Sequence, residues 1–210
     1  VYICFCRGTD ILTPDGYRKI ETLRIGDLII NEMGAAKPIR WISYTTASIM
    51  EMFRDPNRRP VRIPANAIEP GVPSSDLFVS AQHRVVLEDA SAELLFGQNK
   101  VLAIAKHLVG SIAEWAMPAS TVEYYHLLLD SHDIVIANNL ASESFQLSLR
   151  GFAGMSHEAQ RSLTEALPDA ELQEYFNKAD VLPTLAAFET KVLTKHMFKD
   201  NTCPALPADE

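Results

Sequence analysis

Cys4 stands near the start of the chain in the run Cys4-Phe5-Cys6-Arg7-Gly8-Thr9-Asp10-Ile11, ahead of a strand-like Ile11-Leu12-Thr13 and a turn. A thiol is a strong nucleophile once deprotonated, and a nearby base or hydrogen-bonding group activates it. A free cysteine is also a common inert core residue, so chemistry at Cys4 requires partners supplied by the rest of the chain. Imidazoles are the natural partners near neutral pH. His83 closes the short element Ser80-x-x-His83 between two apolar runs, while His126 and His132 fall in and just after the aromatic run Thr121 to Leu129. Each has a structural alternative. Ser80 can bond a local backbone group in a turn, His83 and His132 can be satisfied structural histidines, and His126 can be a packing residue of an apolar strand. Cys6 reads as a strand residue with no role or as a second thiol that competes with the first. His107, His157 and His196 lie on expected helices and are assigned no chemistry. Glu143 and Asp27 are candidate carboxylates for orienting an imidazole or closing a turn.

The elements that must position these side chains are mostly strands. Thr13-Pro14-Asp15-Gly16 is a turn signal, since Pro fixes φ and Gly is free to take φ > 0. Leu28 to Ile30, Ile39 to Tyr44, Val61 to Ile63 and the pair of runs flanking Ser80-x-x-His83 read as short strands. Strands of four to six residues with a turn every 8 to 12 are an all-β signature. Thr121 to Leu129 and Ile134 to Ala137 continue it, and Asn138-Asn139 suits a two-residue turn because Asn tolerates the left-handed region. Residues 46 to 60, with Arg54, Arg58 and Arg59, read as an irregular, solvated loop. Val101 to Val109 is an expected helix stopped by Gly110, and Ile112 to Met117 a short extended piece. The character changes after Gly151. Helical spacing is expected from Ser156 to Leu167, from Ala170 to Lys178, and from Leu185 to Met197 with Leu185, Phe188, Val192 and Leu193 on one face. Residues 201–210, with two Pro and no periodicity, read as a tail. The expected division is 1–150 for the β domain, 151–200 for a helical extension packing on it, and 201–210 for the tail.

At 210 residues, 47% hydrophobic and 22% charged, the chain has the composition of a globular protein able to bury a full core. Its net charge of −8 argues against a nucleic-acid backbone as partner. No run of about eighteen apolar residues is present, so no membrane span is expected. The three cysteines, Cys4, Cys6 and Cys203, do not make a disulfide framework. Cys4 and Cys6 on one strand lie about 7 Å apart, at the limit of disulfide reach. No clustered Cys/His spacing suggests a metal, and no cofactor is expected. The chain opens Val1-Tyr2-Ile3 without Met, from which we expect a piece of a longer protein whose upstream part carries any targeting signal; the sequence leaves the compartment open.

Three separated stretches together resemble the Hint domain shared by hedgehog autoprocessing domains and inteins, and among these the bacterial Hint proteins most closely. They are Cys4-Phe5-x-x-Gly8-Thr9 with Leu23-x-x-Gly26-Asp27, then Ser80-x-x-His83, then Tyr125-His126-Leu127 through His132 to Ile136-Ala137-Asn138-Asn139. The resemblance spans about Cys4 to Phe145. It implies a mostly β, horseshoe-like fold, here with a C-terminal helical extension. It also implies an autocatalytic reaction in which Cys4 attacks the carbonyl of Ile3 and converts the Ile3–Cys4 amide to a thioester. By the same resemblance Ser80-x-x-His83 stands where the family has Thr-x-x-His, with His83 protonating the leaving amine and Ser80 giving a supporting hydrogen bond. The substrate is then the polypeptide fused upstream, in cis.

Two departures shape the expectation. Inteins usually carry Asp where this chain has His126, so an imidazole takes over that position. Inteins also end in a His-Asn pair needed to release the downstream segment, whereas this chain reads Leu140-Ala141-Ser142-Glu143-Ser144. Full splicing is therefore not expected; the thioester passes to water or another nucleophile. The resemblance thus implies Cys4, Ser80, His83, His126 and His132 as the catalytic set. Two other readings stay open: a degenerate Hint fold acting as a binding or structural module, and a Cys/His thiol hydrolase acting in trans.

Overall fold

The computed structural model describes residues 3–176 and 180–198. The expected tail 201–210, Cys203 within it, the first two residues of the β domain, and the ends of the second expected helix and of the extension lie outside the described residues. The strands β1 (Phe5–Cys6), β2 (Asp10–Thr13), β3 (Gly16–Lys19) and β4 (Leu28–Ile30) lead into a long β5 (Ala36–Ala47). Helix α1 (Ile49–Arg54) follows, then β6 (Val61–Ile63), β7 (Leu77–Val79) and β8 (Arg84–Glu88). After α2 (Ala90–Phe96) come β9 (Lys100–Ile104), β10 (Glu114–Trp115), β11 (Val122–Leu129), β12 (Ile134–Ala137) and β13 (Leu140–Glu143). Four helices end the described chain: α3 (Leu149–Gly154), α4 (His157–Ala166), α5 (Asp169–Phe176) and α6 (Ala187–Met197).

The strands form two sheets, ordered β10-β6-β7-β1-β11-β5-β4 and β3-β2-β12-β13-β8-β9. One main core joins them, with Phe5, Val79 and Leu127 from the first sheet and Ile11, Val85 and Val135 from the second. Full burial of each such side chain stabilises the fold by about 1.5–3 kcal/mol. The two hairpin turns expected from sequence are present. Gly16 takes φ 102° where β2 turns into β3, and Asn138 and Asn139 take φ 46° and 63° between β12 and β13. A second core packs Met155, Leu163, Leu172 and Tyr175 of the helical segment against Trp41 of β5 and Leu128 of β11. The Tyr175 hydroxyl donates to the Leu129 carbonyl at 2.6 Å, fastening that contact. Among the described residues, no helix is long and apolar enough to cross a membrane.

Several local expectations differ from the structure, among them the single apolar face of the last helix, where Leu185 and Leu193 are buried but Phe188 and Val192 are exposed. The expected helix at Val101 to Val109 is instead β9 followed by a 3₁₀ turn, Ala105–His107. A short run that is apolar on every side suits a buried strand as well as a helix. Here Leu102 settles the matter by pairing with Val86 on one side and bonding Pro183 and Leu185 on the other. The loop expected over residues 46 to 60 contains α1, started by a capping box. Ser48 Oγ accepts from the Glu51 amide at 3.3 Å, and Glu51 Oε2 accepts from the Ser48 amide at 2.9 Å. α2 is likewise unanticipated, although Asp89 caps its start and Gly97, at φ 72°, ends it.

Candidate functional site

Strand pairing builds the site. β1 lies between β7 and β11, with Phe5 opposite both Val79 and Tyr125, and Cys6 opposite Tyr124. Continuing that antiparallel register by one residue puts Cys4 across from Ser80 on one side and His126 on the other. On the first side, Ser80 N–H donates to the Cys4 carbonyl at 3.0 Å, and the Cys4 N–H donates to Ser80 Oγ at 3.1 Å. That N–H belongs to the Ile3–Cys4 peptide bond. On the second side, Cys4 Sγ lies 3.2 Å from His126 Nδ1.

Both partners of that pair are buried, and burial sets their charge. It pushes the Cys4 thiol well above its ordinary value, helped by the neighbouring Cys6 and opposed by the Ser80 hydroxyl. It pushes His126 down to about 4, against the backbone of Ile3, which favours the charged ring. The resting pair is therefore a neutral thiol beside a neutral imidazole, arranged for proton transfer rather than held as an ion pair. Trp41 stacks on the His126 ring with centroids 6.1 Å apart, Phe145 meets it edge-on at 5.1 Å, and Thr45 Oγ1 stands 3.5 Å from its Nε2. The ring is thus enclosed by β5 and by the chain after β13.

Ser80 and His83 sit on a tight turn between β7 and β8, where His83 N–H donates to the Ser80 carbonyl at 2.9 Å. The His83 ring is wholly buried and meets Phe5 edge-on at 4.4 Å. Among the described residues, neither ring nitrogen has a partner with hydrogen-bond geometry. Burial, with the adjacent Arg84 charge, lowers His83 to about 3, while the Cys4 backbone pulls the other way. Ser80, His83 and His126 therefore all converge on the Cys4 backbone or thiol.

His132 is placed elsewhere. Its Nε2 lies 3.3 Å from Glu143 Oε2, and Glu143 also meets Arg84 Nε at 2.5 Å. The two alternatives for the candidate carboxylates are thus each realised once. Glu143 contacts an imidazole, and Asp27 closes a turn by accepting from the Arg24 amide at 2.9 Å. Cys6 is buried, and burial raises its thiol as well. A cavity of about 280 Å³ opens beside Cys4, lined by Thr46, Asp55, Asn57, Arg58 and Tyr124 among others. Thr45, Trp41 and Phe145 escape a reading of the sequence because their part in the site depends on strand register, which leaves no local motif.

The Hint-domain family model matches residues 3–148. The chain belongs to the Hint-domain family, and its fold is the mostly β Hint type with helices toward the C-terminal end. Solved structures similar to it include a bacterial intein-like domain from Clostridium thermocellum, 15% identical with a TM-score of 0.49, covering 69% of this chain and 100% of that one. The gp41-1 intein is 12% identical with a TM-score of 0.43, covering 66% and 96%. The AceL NrdHF class 3 split intein is 11% identical with a TM-score of 0.45, covering 69% and 99%. No curated protein sequence matches.

Proposed function

We propose that the protein cleaves its own Ile3–Cys4 peptide bond through a thioester on Cys4 and stops short of splicing. The observation that carries this reading is the 3.2 Å approach of Cys4 Sγ to His126 Nδ1 while the amide of the bond to be broken is held by Ser80 Oγ. An amide is a poor acyl donor, so the shift requires a base for the thiol, charge stabilisation at the carbonyl and an acid for the departing nitrogen. His126 takes the thiol proton as Sγ attacks the Ile3 carbonyl carbon. The imidazolium so formed lies against the Ile3 backbone, where it offsets charge growing on the carbonyl oxygen. The carbon–nitrogen bond then breaks and the nitrogen of Cys4 gains a proton, so the net movement is one proton from sulfur to nitrogen. The proton that His126 took from sulfur charges His83, beside the Cys4 backbone, and His83 delivers it to that nitrogen; its depressed proton affinity makes it a strong acid once charged. Ser80 keeps the nitrogen in place. Water or another nucleophile next attacks the thioester carbonyl, releasing the upstream polypeptide and restoring the thiol.

In this reading residues 1–150 form the reacting unit and 151–200 the extension, the partner is a polypeptide fused upstream of Ile3, and the catalyst turns over once without a cofactor. The test is a fusion with a folded partner before Ile3, followed by intact mass. Release of that partner, accelerated by hydroxylamine or dithiothreitol and lost in Cys4→Ala, is expected. Equal cleavage by Cys4→Ala rules out the thioester.

A further inference from the structure

Among the described residues no hydrogen bond fixes the His83 ring, yet the residue after it is held from three directions. Arg84 is only 9% exposed. Its Nε meets Glu143 Oε2 at 2.5 Å, its Nη2 donates to Gln146 Oε1 at 2.6 Å, and its Nη1 meets Asp180 Oδ2 and Thr184 Oγ1, each at 2.9 Å. Glu143 is also the residue that His132 faces. Asp180 and Thr184 belong to the connection before α6, and that connection is anchored independently. Leu102 N–H donates to the Pro183 carbonyl and Leu185 N–H to the Leu102 carbonyl, both at 2.8 Å, and Leu185 is buried in the main core.

We infer that Arg84 is a positioning residue for His83, and that the 180–185 segment of the helical extension, with Glu143 and His132, forms the clamp that holds it. This rests on the self-cleavage reading above. Burying a guanidinium is costly, and packing alone is served as well by an apolar residue of similar volume. The multiple contacts do what an apolar residue cannot: they fix the start of β8 in direction as well as depth. His83 is peptide-bonded to Arg84, its carbonyl accepts from Ala105 N–H at 2.8 Å, and its ring rests on Phe5. With the backbone fixed at Arg84 and the ring held by its edge-on contact with Phe5, the imidazole is left aimed at the Cys4 backbone. The extension thereby takes part in the reaction by orienting the acid. His132 becomes part of the clamp rather than a group that touches the reacting atoms.

The test uses the full chain fused to an upstream partner. Arg84→Gln should slow cleavage by about 10²-fold, the scale expected when a reacting group is displaced by about 1 Å. Arg84→Lys should recover part of that rate, and the double variant Asp180→Ala/Thr184→Val should show a smaller loss. In a Cys4→Ala background, which keeps the precursor intact, the His83 ring proton resonance should move in the double variant. If Arg84→Gln does not fold, the double variant still decides, because it leaves Arg84, Glu143 and Gln146 in place. A wild-type cleavage rate or an unmoved His83 resonance in the double variant overturns the inference. If wild-type cleavage does not depend on Cys4, the self-cleavage reading fails instead, and the His83 resonance alone decides whether the clamp exists.

Discussion

Cys4 and His126 face each other across β1 and β11, with Sγ 3.2 Å from Nδ1, although 122 positions separate them in the chain. Neither is charged at rest, because burial raises the thiol and lowers the imidazole. A neutral pair so placed suits proton transfer during the proposed attack on Ile3, and the consequences of that proposal can be measured.

Replacing His126 by Ala should slow thiol-induced release of an upstream partner by about 10² to 10⁴-fold, the usual contribution of a general base. Single-turnover rates with dithiothreitol in excess check this. The fold should survive, since Trp41 and Phe145 retain their contact with each other at 6.2 Å.

Ser80→Ala leaves the buried Cys4 N–H without its acceptor. The unmet donor should cost about 1–3 kcal/mol of stability, read from urea midpoints. Cleavage should slow by about tenfold for each 1.4 kcal/mol lost from the transition state. Ser80→Thr, which restores the hydroxyl, should recover both.

Acid should act on stability through the same histidines. In the fold His83 binds its proton only near pH 3 and His126 near pH 4, whereas in the unfolded chain both bind near 6.5. Below pH 6.5 the unfolded state takes up protons that the folded state refuses. Stability is therefore full above 6.5, falls as pH drops, and levels off once the folded groups titrate. The His126 share is on the order of 3 kcal/mol. Comparing Cys4→Ala with Cys4→Ala/His126→Leu by urea titration between pH 6.5 and 4 should show a flatter slope in the second. The acidic limb of cleavage should fall near pH 4, and a limb at 6.5 would contradict the burial of His126.

Cys6 should prove dispensable. It packs with Cys4, Met52 and Tyr124 and approaches no histidine among the described contacts. Cys6→Ala should cleave at the wild-type rate and lose about 1 kcal/mol of stability through the small void left behind. A rate loss matching that of Cys4→Ala would instead make Cys6 an acyl carrier.

Much of the fold is legible locally. Turn chemistry at Thr13 to Gly16 and Asn138-Asn139 marks two hairpins, and apolar spacing marks the helical segments after residue 156. Structure and local pattern part where that pattern is ambiguous or faint. Val101 to Ala105 is apolar on all sides, so only its neighbours Val86 and Thr184 decide between helix and strand. The Ser48–Glu51 capping box and the Asp89 and Gly97 caps are the sequence signals that α1 and α2 do carry.

For the site, the sequence by itself determined the inventory: a thiol after Ile3, a Ser80-x-x-His83 turn, and histidines at 126 and 132 near the end of the β region. The turn is local, since His83 N–H bonds the Ser80 carbonyl within four residues, and so spacing alone is enough to keep the two residues together. Which histidine meets the thiol was a tertiary matter. His126 reaches Cys4 because β1 and β11 pair in one register, and a slip of one residue would turn its ring to the other face. His132, six residues further on, leaves β11 beyond its bulge at Leu128/Leu129 and meets Glu143 instead. Strand pairing between distant segments is chosen by the burial of both sheets at once, and no local spacing records that choice.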